Sequence, residues 1–184
     1  MEQPQLSAGD DFGLRAWRVA DAPAVVAAFA DPAIEQWHLR TVESVDEAHD
    51  WIEGWSDQWQ SETNACWAIV DAEDAVCGQV SLRGLNLAMG VSQVSYWITP
   101  ERRGHGLATR AVTALNDWAF ADLGLHRLWL MHSTRNEPSC GVALAAGFVP
   151  EGTLREALFH PDGWHDMHVH GQLAPDSGQP EPSP

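Results

Sequence analysis

Residues 93–119 read QVSYWITPERRGHGLATRAVTALNDWA, and this stretch decides the fold. Val94, Tyr96 and Ile98 alternate with residues that point the other way, and such alternation of β-branched and aromatic side chains predicts a strand. Pro100 ends the strand because proline has no backbone N–H for the ladder. After the glycine loop at 102–106, apolar residues recur at helical spacing, at positions 107, 108, 111, 112, 115, 118 and 119. The stretch therefore predicts a strand, a tight loop and a helix.

The loop has the properties of an anion site. The first turn of a helix offers unpaired backbone N–H groups and the positive end of the helix dipole. Gly104 and Gly106 carry no side chain that would hold an anion away, and Arg102 and Arg103 can add charge-assisted hydrogen bonds. The loop therefore predicts pyrophosphate binding, although glycines that only form a turn would show the same pattern. The motifs of nucleotide-binding P-loops and dinucleotide folds are absent.

Composition narrows the class of protein. A chain of 184 residues suits one domain, and its longest apolar runs are too short to cross a membrane, so a cytoplasmic protein is expected. With 26 acidic and 10 basic residues, the formal charge of −16 argues against nucleic-acid binding. Such a surface would attract a cationic partner, although a surface that is only solvated would have the same composition. Cys66, Cys77 and Cys140 are far apart in sequence, which argues against a disulfide framework.

The remaining chain predicts alternating strands and helices between a flexible N-terminus at 1–11 and a disordered tail at 174–184. Periodicity and capping patterns predict seven strands, at 12–17, 66–72, 75–82, 93–98, 126–134, 149–159 and 164–173. They predict four helices, at 22–30, from 44 onward, at 107–119 and at 136–147. Residues 12–173 therefore form a single α/β (α+β) domain.

Three motifs resemble the GCN5-related N-acetyltransferases (GNAT). Residues 101–106, ERRGHG, resemble the family's acetyl-CoA loop, Gln/Arg-x-x-Gly-x-Gly/Ala, with Glu101 departing at the first position. Residues 136–148, NEPSCGVALAAGF, resemble its second cofactor helix. Residues 152–173 resemble the closing hairpin of the branch that acetylates ribosomal-protein N-termini (RimJ/RimL-like). The resemblance covers residues 12–173.

The resemblance implies a central mixed, mostly antiparallel sheet of about six to seven strands, flanked by about four helices and splayed between the fourth and fifth strands. Acetyl-CoA is the implied co-substrate. The implied acceptor is a primary amine, either a protein N-terminus or a small amine such as an antibiotic. Backbone groups near Trp97, Ile98 and Thr99 are expected to hold the pantetheine arm from one side, and Asn136 from the other. The remaining expected cofactor contacts are Arg102, Arg103, Gly104, His105, Gly106, Leu107, Ala108 and Ser139.

The catalytic groups are less well defined by the resemblance. Many relatives carry a tyrosine where this chain has Ala143, so Ser139 is the candidate acid beside the thiol. Relatives often carry a glutamate where Gln93 stands, which leaves Glu156, Glu35 or a chain of water molecules to take the proton. A non-catalytic acyl-CoA-binding module, or transfer of another acyl group such as succinyl, is the alternative function.

Aromatic and acidic residues of the first third are candidates for acceptor binding. Trp51, Trp55 and Trp59 recur at i, i+4 and i+8, a spacing typical of a core face, although an indole can also hold a cation in a pocket. Glu35, Trp37 and Trp55 are predicted to contact the acceptor. A homodimer is considered.

The cluster His165, Asp166, His168 and His170 suggests a metal site. Three of these residues share one face of a strand, but they span about 13 Å, which is too long for tetrahedral ligation at about 2 Å. No metal is therefore expected.

Overall fold

Eight strands form one sheet in the order β1-β2-β3-β4-β5-β6-β8-β7. The computed structural model describes residues 2–9, 11–38 and 40–175. All neighbouring strands are antiparallel except β5 and β6, which are parallel. The strands are β1 (Leu6–Ser7), β2 (Phe12–Ala16), β3 (Ala65–Asp71), β4 (Val76–Asn86), β5 (Val91–Ile98), β6 (Arg127–Ser133), β7 (Val149–His160) and β8 (Gly163–Leu173).

Five α-helices cover the sheet: α1 (Ala22–Phe29), α2 (Pro32–Trp37), α3 (Val45–Gln60), α4 (Leu107–Ala121) and α5 (Glu137–Ala145). The predicted single α/β domain with a mixed, mostly antiparallel sheet is confirmed, with one strand and one helix more than expected. The extra helix is α2. The dipeptide Asp31-Pro32 follows the end of α1 and also starts α2. Asp31 caps α2 by accepting a hydrogen bond from the Ile34 N–H, and Pro32 occupies the first turn.

The N-terminal segment predicted to be flexible contains the extra strand, β1. Leu6 pairs with Leu14 of β2, Ala8 is buried, and the indole N–H of Trp67 donates to the Pro4 carbonyl at 2.8 Å. A two-residue strand is too short to show a periodic pattern, so the sequence did not predict it. The predicted disordered tail lies, from residue 176 onward, outside the described residues.

Two hydrophobic clusters lie on opposite faces of the sheet. One joins α4 and α5 to the sheet through residues such as Leu107, Leu115 and Ala143. The other joins α1 and α3 through Phe29 and Trp51 among others. Among the described helices, none is long and apolar enough to cross a membrane.

The sheet opens between β5 and β6. The two strands pair only from Val91 to Val94, opposite Arg127 to Leu130, although β5 continues to Ile98 and β6 to Ser133. Beyond this point β5 stays paired with β4, and β6 stays paired with β8. The predicted splay between the fourth and fifth strands is therefore present. These two strands are β5 and β6 in the structure, because β1 precedes the strands that the sequence predicted.

Candidate active site

A cavity of about 520 Å³ lies where β5 and β6 separate. Its wall includes Tyr96 from β5, Met131 from β6, Ser139 from α5, His160 from β7 and Trp37 from α2. Strand separation exposes backbone groups that a closed sheet would pair, so the cavity combines apolar walls with unpaired polar groups. Such a site is typical of ligand-binding clefts.

Only part of the β5 backbone faces this opening. The Thr99 N–H donates to the Cys77 carbonyl at 2.9 Å, so Thr99 points toward β4. Backbone direction alternates along a strand, so the backbone groups of Trp97 also face β4, whereas those of Tyr96 and Ile98 face away from it. Of these two residues, Tyr96 lines the cavity. Of the three residues near which backbone groups are predicted to hold the pantetheine arm, Ile98 presents its backbone away from β4, and Trp97 and Thr99 present theirs to β4. Contact with the arm stays a prediction.

The loop before α4 has the geometry that an anion site requires. Gly104 and Gly106 have φ of +80° and +71°, a left-handed conformation in which other residues are strained. Both glycines are exposed, as is His105 between them. The buried side chain of Leu107 anchors the start of α4, so its first-turn N–H groups, including that of Ala108, are held in a fixed direction.

The two arginines of this loop already have carboxylate partners. Arg102 forms an ion pair with Asp71, and Arg103 with Asp31 at 2.6 Å. The hydrogen bond from Arg103 lowers the pKa of the Asp31 carboxyl. Arg103 Nε also donates to the Ile98 carbonyl at 3.0 Å. The arginines therefore hold the loop against the sheet, which leaves the backbone N–H groups as the main donors for the expected anion.

Tyr96 and Ser139 meet across the opening. The Tyr96 hydroxyl donates to Ser139 Oγ at 3.1 Å, which leaves the serine proton free to point into the cavity. Burial raises the pKa of Tyr96 to about 12, so this hydroxyl stays protonated near neutral pH. Asn136 fixes the backbone of the serine, because its side-chain oxygen accepts a hydrogen bond from the Ser139 N–H at 3.3 Å. Sequence reasoning placed Ser139 at the thiol but did not assign Tyr96 to this site.

His160 supplies a proton acceptor that sequence reasoning missed. Its Nδ1 lies 3.0 Å from the Gln36 carbonyl, which can only accept a hydrogen bond, so Nδ1 carries the proton. Nε2 then holds a free lone pair. This atom is buried and has no hydrogen-bond partner among the described residues. Since His160 lines the cavity, its Nε2 is a candidate general base.

Three predicted residues do not line the cavity. Glu156 is exposed in a bulge of β7, where its N–H donates to Asp166 at 2.8 Å. Glu35 is exposed on α2. Trp55 is buried in the α1–α3 core beside Trp51, as its helical spacing allowed. Of the predicted acceptor contacts, only Trp37 lies on the cavity wall.

Known proteins share this fold and its motifs. The sequence profile described as "Acetyltransferase (GNAT) domain" matches residues 11–149. An N-acetyltransferase of Bacillus subtilis, YoaA, is 26% identical over 158 residues, which cover 84% of this chain and 89% of that protein. The spermidine N(1)-acetyltransferase of Escherichia coli is 32% identical over 91 residues, 50% of this chain and 49% of that protein.

Among solved structures, RimJ of Mycobacterium smegmatis, in complex with CoA-disulfide, superposes with a TM-score of 0.86 at 25% identity. The match covers 96% of this chain and 90% of RimJ. The profile match, the order of the motifs and the open sheet agree with one another. The chain therefore belongs to the acetyltransferase (GNAT) domain family, as an acetyl-CoA-dependent N-acetyltransferase similar to RimJ.

Proposed function

We propose that this N-acetyltransferase acetylates the free N-terminal amine of a peptide or protein in the cavity between β5 and β6. The observation that carries the proposal is the pair of groups on the cavity wall. His160 Nε2 offers a lone pair on one side, and the Tyr96–Ser139 pair offers a proton on the other. Acyl transfer to an amine needs a base and a means of stabilising the leaving thiolate.

The residues act in a fixed order. His160 Nε2 takes a proton from the ammonium group, and the neutral amine attacks the thioester carbonyl. The backbone N–H of Tyr96, which faces away from β4 on the cavity wall, stabilises the negative charge that develops on the carbonyl oxygen. The carbon–sulfur bond then breaks, and the nitrogen loses its second proton, which passes through the Ser139 hydroxyl to the departing thiolate while the Tyr96 hydroxyl holds Ser139 in place. Acetyl-CoA has then given up its acetyl group and leaves as the CoA thiol, and His160 releases the first proton to solvent.

The charged residues on the cavity wall indicate which kind of acceptor the cavity can bind. Arg40 and Arg83 line the cavity, neither forms an ion pair with a described residue, and no described acidic residue lines it. Burial, and secondarily the charge of Arg83, lower the pKa of the neighbouring His38 to about 4, so His38 is neutral at pH 7. The local charge is therefore positive, opposite in sign to the whole chain.

A peptide N-terminus is compatible with the negative net charge of the chain and with the positive charge of the cavity wall. The net charge of −16, from which the sequence predicted a cationic acceptor, attracts an ammonium group over long range. On the cavity wall, the exposed guanidinium groups of Arg40 and Arg83 can donate to oxygen acceptors, which the carbonyl groups and acidic side chains of a peptide provide. A polyamine such as spermidine, on which the Escherichia coli relative acts, has no such oxygen and carries the same sign of charge as both arginines.

A comparison of acceptors tests this assignment through CoA thiol release. A peptide with an acidic second and third residue should show kcat/KM about tenfold higher than its lysine counterpart or spermidine, because one charge-assisted hydrogen bond is worth about 1.5–3 kcal/mol. Arg83→Ala should remove this preference. Arg18→Ala, which makes the same charge change at an exposed ion pair with Asp74, should retain it.

Two outcomes contradict parts of the proposal. If spermidine is the best acceptor, and its turnover falls steeply with salt, the net charge rather than the cavity arginines selects the acceptor. If acetyl-CoA binds but no amine promotes thiol release, the chain is an acyl-CoA-binding module without transferase activity. Replacing acetyl-CoA by succinyl-CoA in the same assay tests the donor.

Ser139→Ala should lower kcat by roughly 10²-fold, because its hydrogen bond to sulfur forms mainly as the thiolate develops. Affinity for acetyl-CoA, measured by calorimetry, should stay near the wild-type value. Tyr96→Phe removes only the support of Ser139 and should cause a smaller loss of kcat. Normal turnover in Ser139→Ala, together with a lower Tm, would show that the serine serves only the start of α5.

A further inference from the structure

Four potential metal ligands meet on the side of the sheet that α5 covers. They come from three elements: His132 from β6, Cys140 from α5, and His168 and His170 from β8. One ligand atom from each side chain lies within 4.8 Å of all the others. We propose that this His/Cys cluster binds one Zn²⁺ ion, at a site separate from the acceptor cavity.

The sheet register brings the histidines together. His132 of β6 pairs directly with His168 of β8, and His170 lies two residues further along on the same face. The ring of His132 lies 5.4 Å from that of His168 and 5.1 Å from that of His170, measured between centroids. The sequence argument against a metal counted ligands along one strand only. A set drawn from two strands and a helix avoids that 13 Å span.

The distances suit a tetrahedral ion after small side-chain movements. Zn–N bonds of about 2.0–2.1 Å and a Zn–S bond of about 2.3 Å require ligand atoms to be about 3.3–3.6 Å apart. Nε2 of His132 and Nε2 of His170 are 3.0 Å apart, already close to this range. Cys140 and His168 are half-buried, so their side chains can rotate to close the remaining distance. Their exposure also gives an ion a route of entry.

The hydrogen bond of His132 to the backbone favours metal binding by its other ring nitrogen. Its Nδ1 lies 2.8 Å from the Ser133 carbonyl and must donate to it, so Nε2 presents a lone pair to the cluster. A hydrogen bond from the distal ring nitrogen to a backbone carbonyl is the usual support of a metal-bound histidine. Protein contacts do not satisfy the cluster completely, because Nδ1 of buried His170 has no partner among the described residues.

The ligand types favour zinc in a structural role. Imidazole and thiolate ligands in a tetrahedral set are typical of Zn²⁺, and four protein ligands leave no position open for a substrate. Cys140 must lose its thiol proton on binding. Because Cys140 follows Ser139 directly in α5, the ion would fix that helix against β6 and β8 beside the proposed thiolate site.

Metal binding by untagged protein, stripped with a chelator and then dialysed, tests the proposal. Titration with Zn²⁺ against a chromophoric chelator should give one ion per chain, and the ion should raise Tm. Co²⁺ should produce the intense visible bands of a tetrahedral site and a thiolate charge-transfer band. Cys140→Ser should abolish the charge-transfer band, and His168→Gln should weaken Zn²⁺ binding at least about tenfold. Both side chains are half-buried, so these variants should fold.

His126→Gln, which changes an exposed histidine outside the cluster, is the matched control and should bind Zn²⁺ as the wild type does. Absence of saturable one-to-one binding by the wild-type protein would overturn the proposal. Binding that is equal in the wild type, Cys140→Ser and His168→Gln would overturn it as well. The Zn²⁺ titration, the change in Tm and the Co²⁺ spectrum do not depend on acetyl transfer, so their result is independent of the proposed function.

Discussion

Replacing Gly104 with glutamate should weaken acetyl-CoA binding at least a hundredfold. Gly104 has φ of +80°, where a residue with a Cβ is strained by about 1–2 kcal/mol, so the loop should shift away from its present shape. The new carboxylate would also stand at the start of α4, where the pyrophosphate is expected, and would repel it. Together these effects amount to about 3 kcal/mol, which is about two orders of magnitude in affinity.

Calorimetry with acetyl-CoA measures the effect, and two variants serve as controls. Gly124→Glu places the same charge at a glycine with φ of +70° after α4, away from the loop, and should bind acetyl-CoA normally. Gly104→Asn introduces a side chain that tolerates positive φ and carries no charge, so it should lose much less affinity. Wild-type affinity in folded Gly104→Glu would show that the loop does not hold the cofactor.

His160→Asn should lower kcat/KM by about 10²–10⁴-fold, the range that a general base typically contributes. The asparagine amide can still donate to the Gln36 carbonyl, as Nδ1 of His160 does at 3.0 Å, so the contact between α2 and β7 is kept. The Nε2 lone pair is lost, together with the ring contacts of His160 with Trp37 and His165. Affinity for acetyl-CoA should therefore not change.

Steady-state thiol release with a saturating acceptor gives the measurement, and His126→Asn, at an exposed histidine, is the matched control. In His160→Ala, added imidazole should restore part of the activity because it can occupy the space of the missing ring. Near-normal turnover in His160→Asn would mean that the proton leaves through water, the route that the sequence left open.

The catalytic groups were the hardest part of the site to predict. Because Gln93 stands where relatives often carry a glutamate, the sequence leaves Glu156 as a substitute base, yet the bulge of β7 leaves this residue exposed, with its backbone N–H bound to Asp166. Nothing in the sequence around His160 marks it as a base. Its role depends on the Gln36 carbonyl, which is 124 residues away in the chain and fixes the ring proton on Nδ1.

The sequence by itself determined the order of the seven longer strands, the four longer helices and the glycine loop, because these depend on local rules. Alternation and helical periodicity arise from backbone geometry over a few residues, and a glycine at positive φ acts within one turn. Strand β5, the loop at 102–106 and helix α4 therefore lie where residues 93–119 predicted them.

Only the tertiary structure decided which side chains share a site. Tyr96 meets Ser139 because β5 and β6 part and α5 begins beside the gap. His132 meets His168 because two strands distant in sequence pair in one register. Such contacts depend on long-range pairing and on backbone direction at each residue, and a one-residue change of register would turn every side chain of a strand to the opposite face.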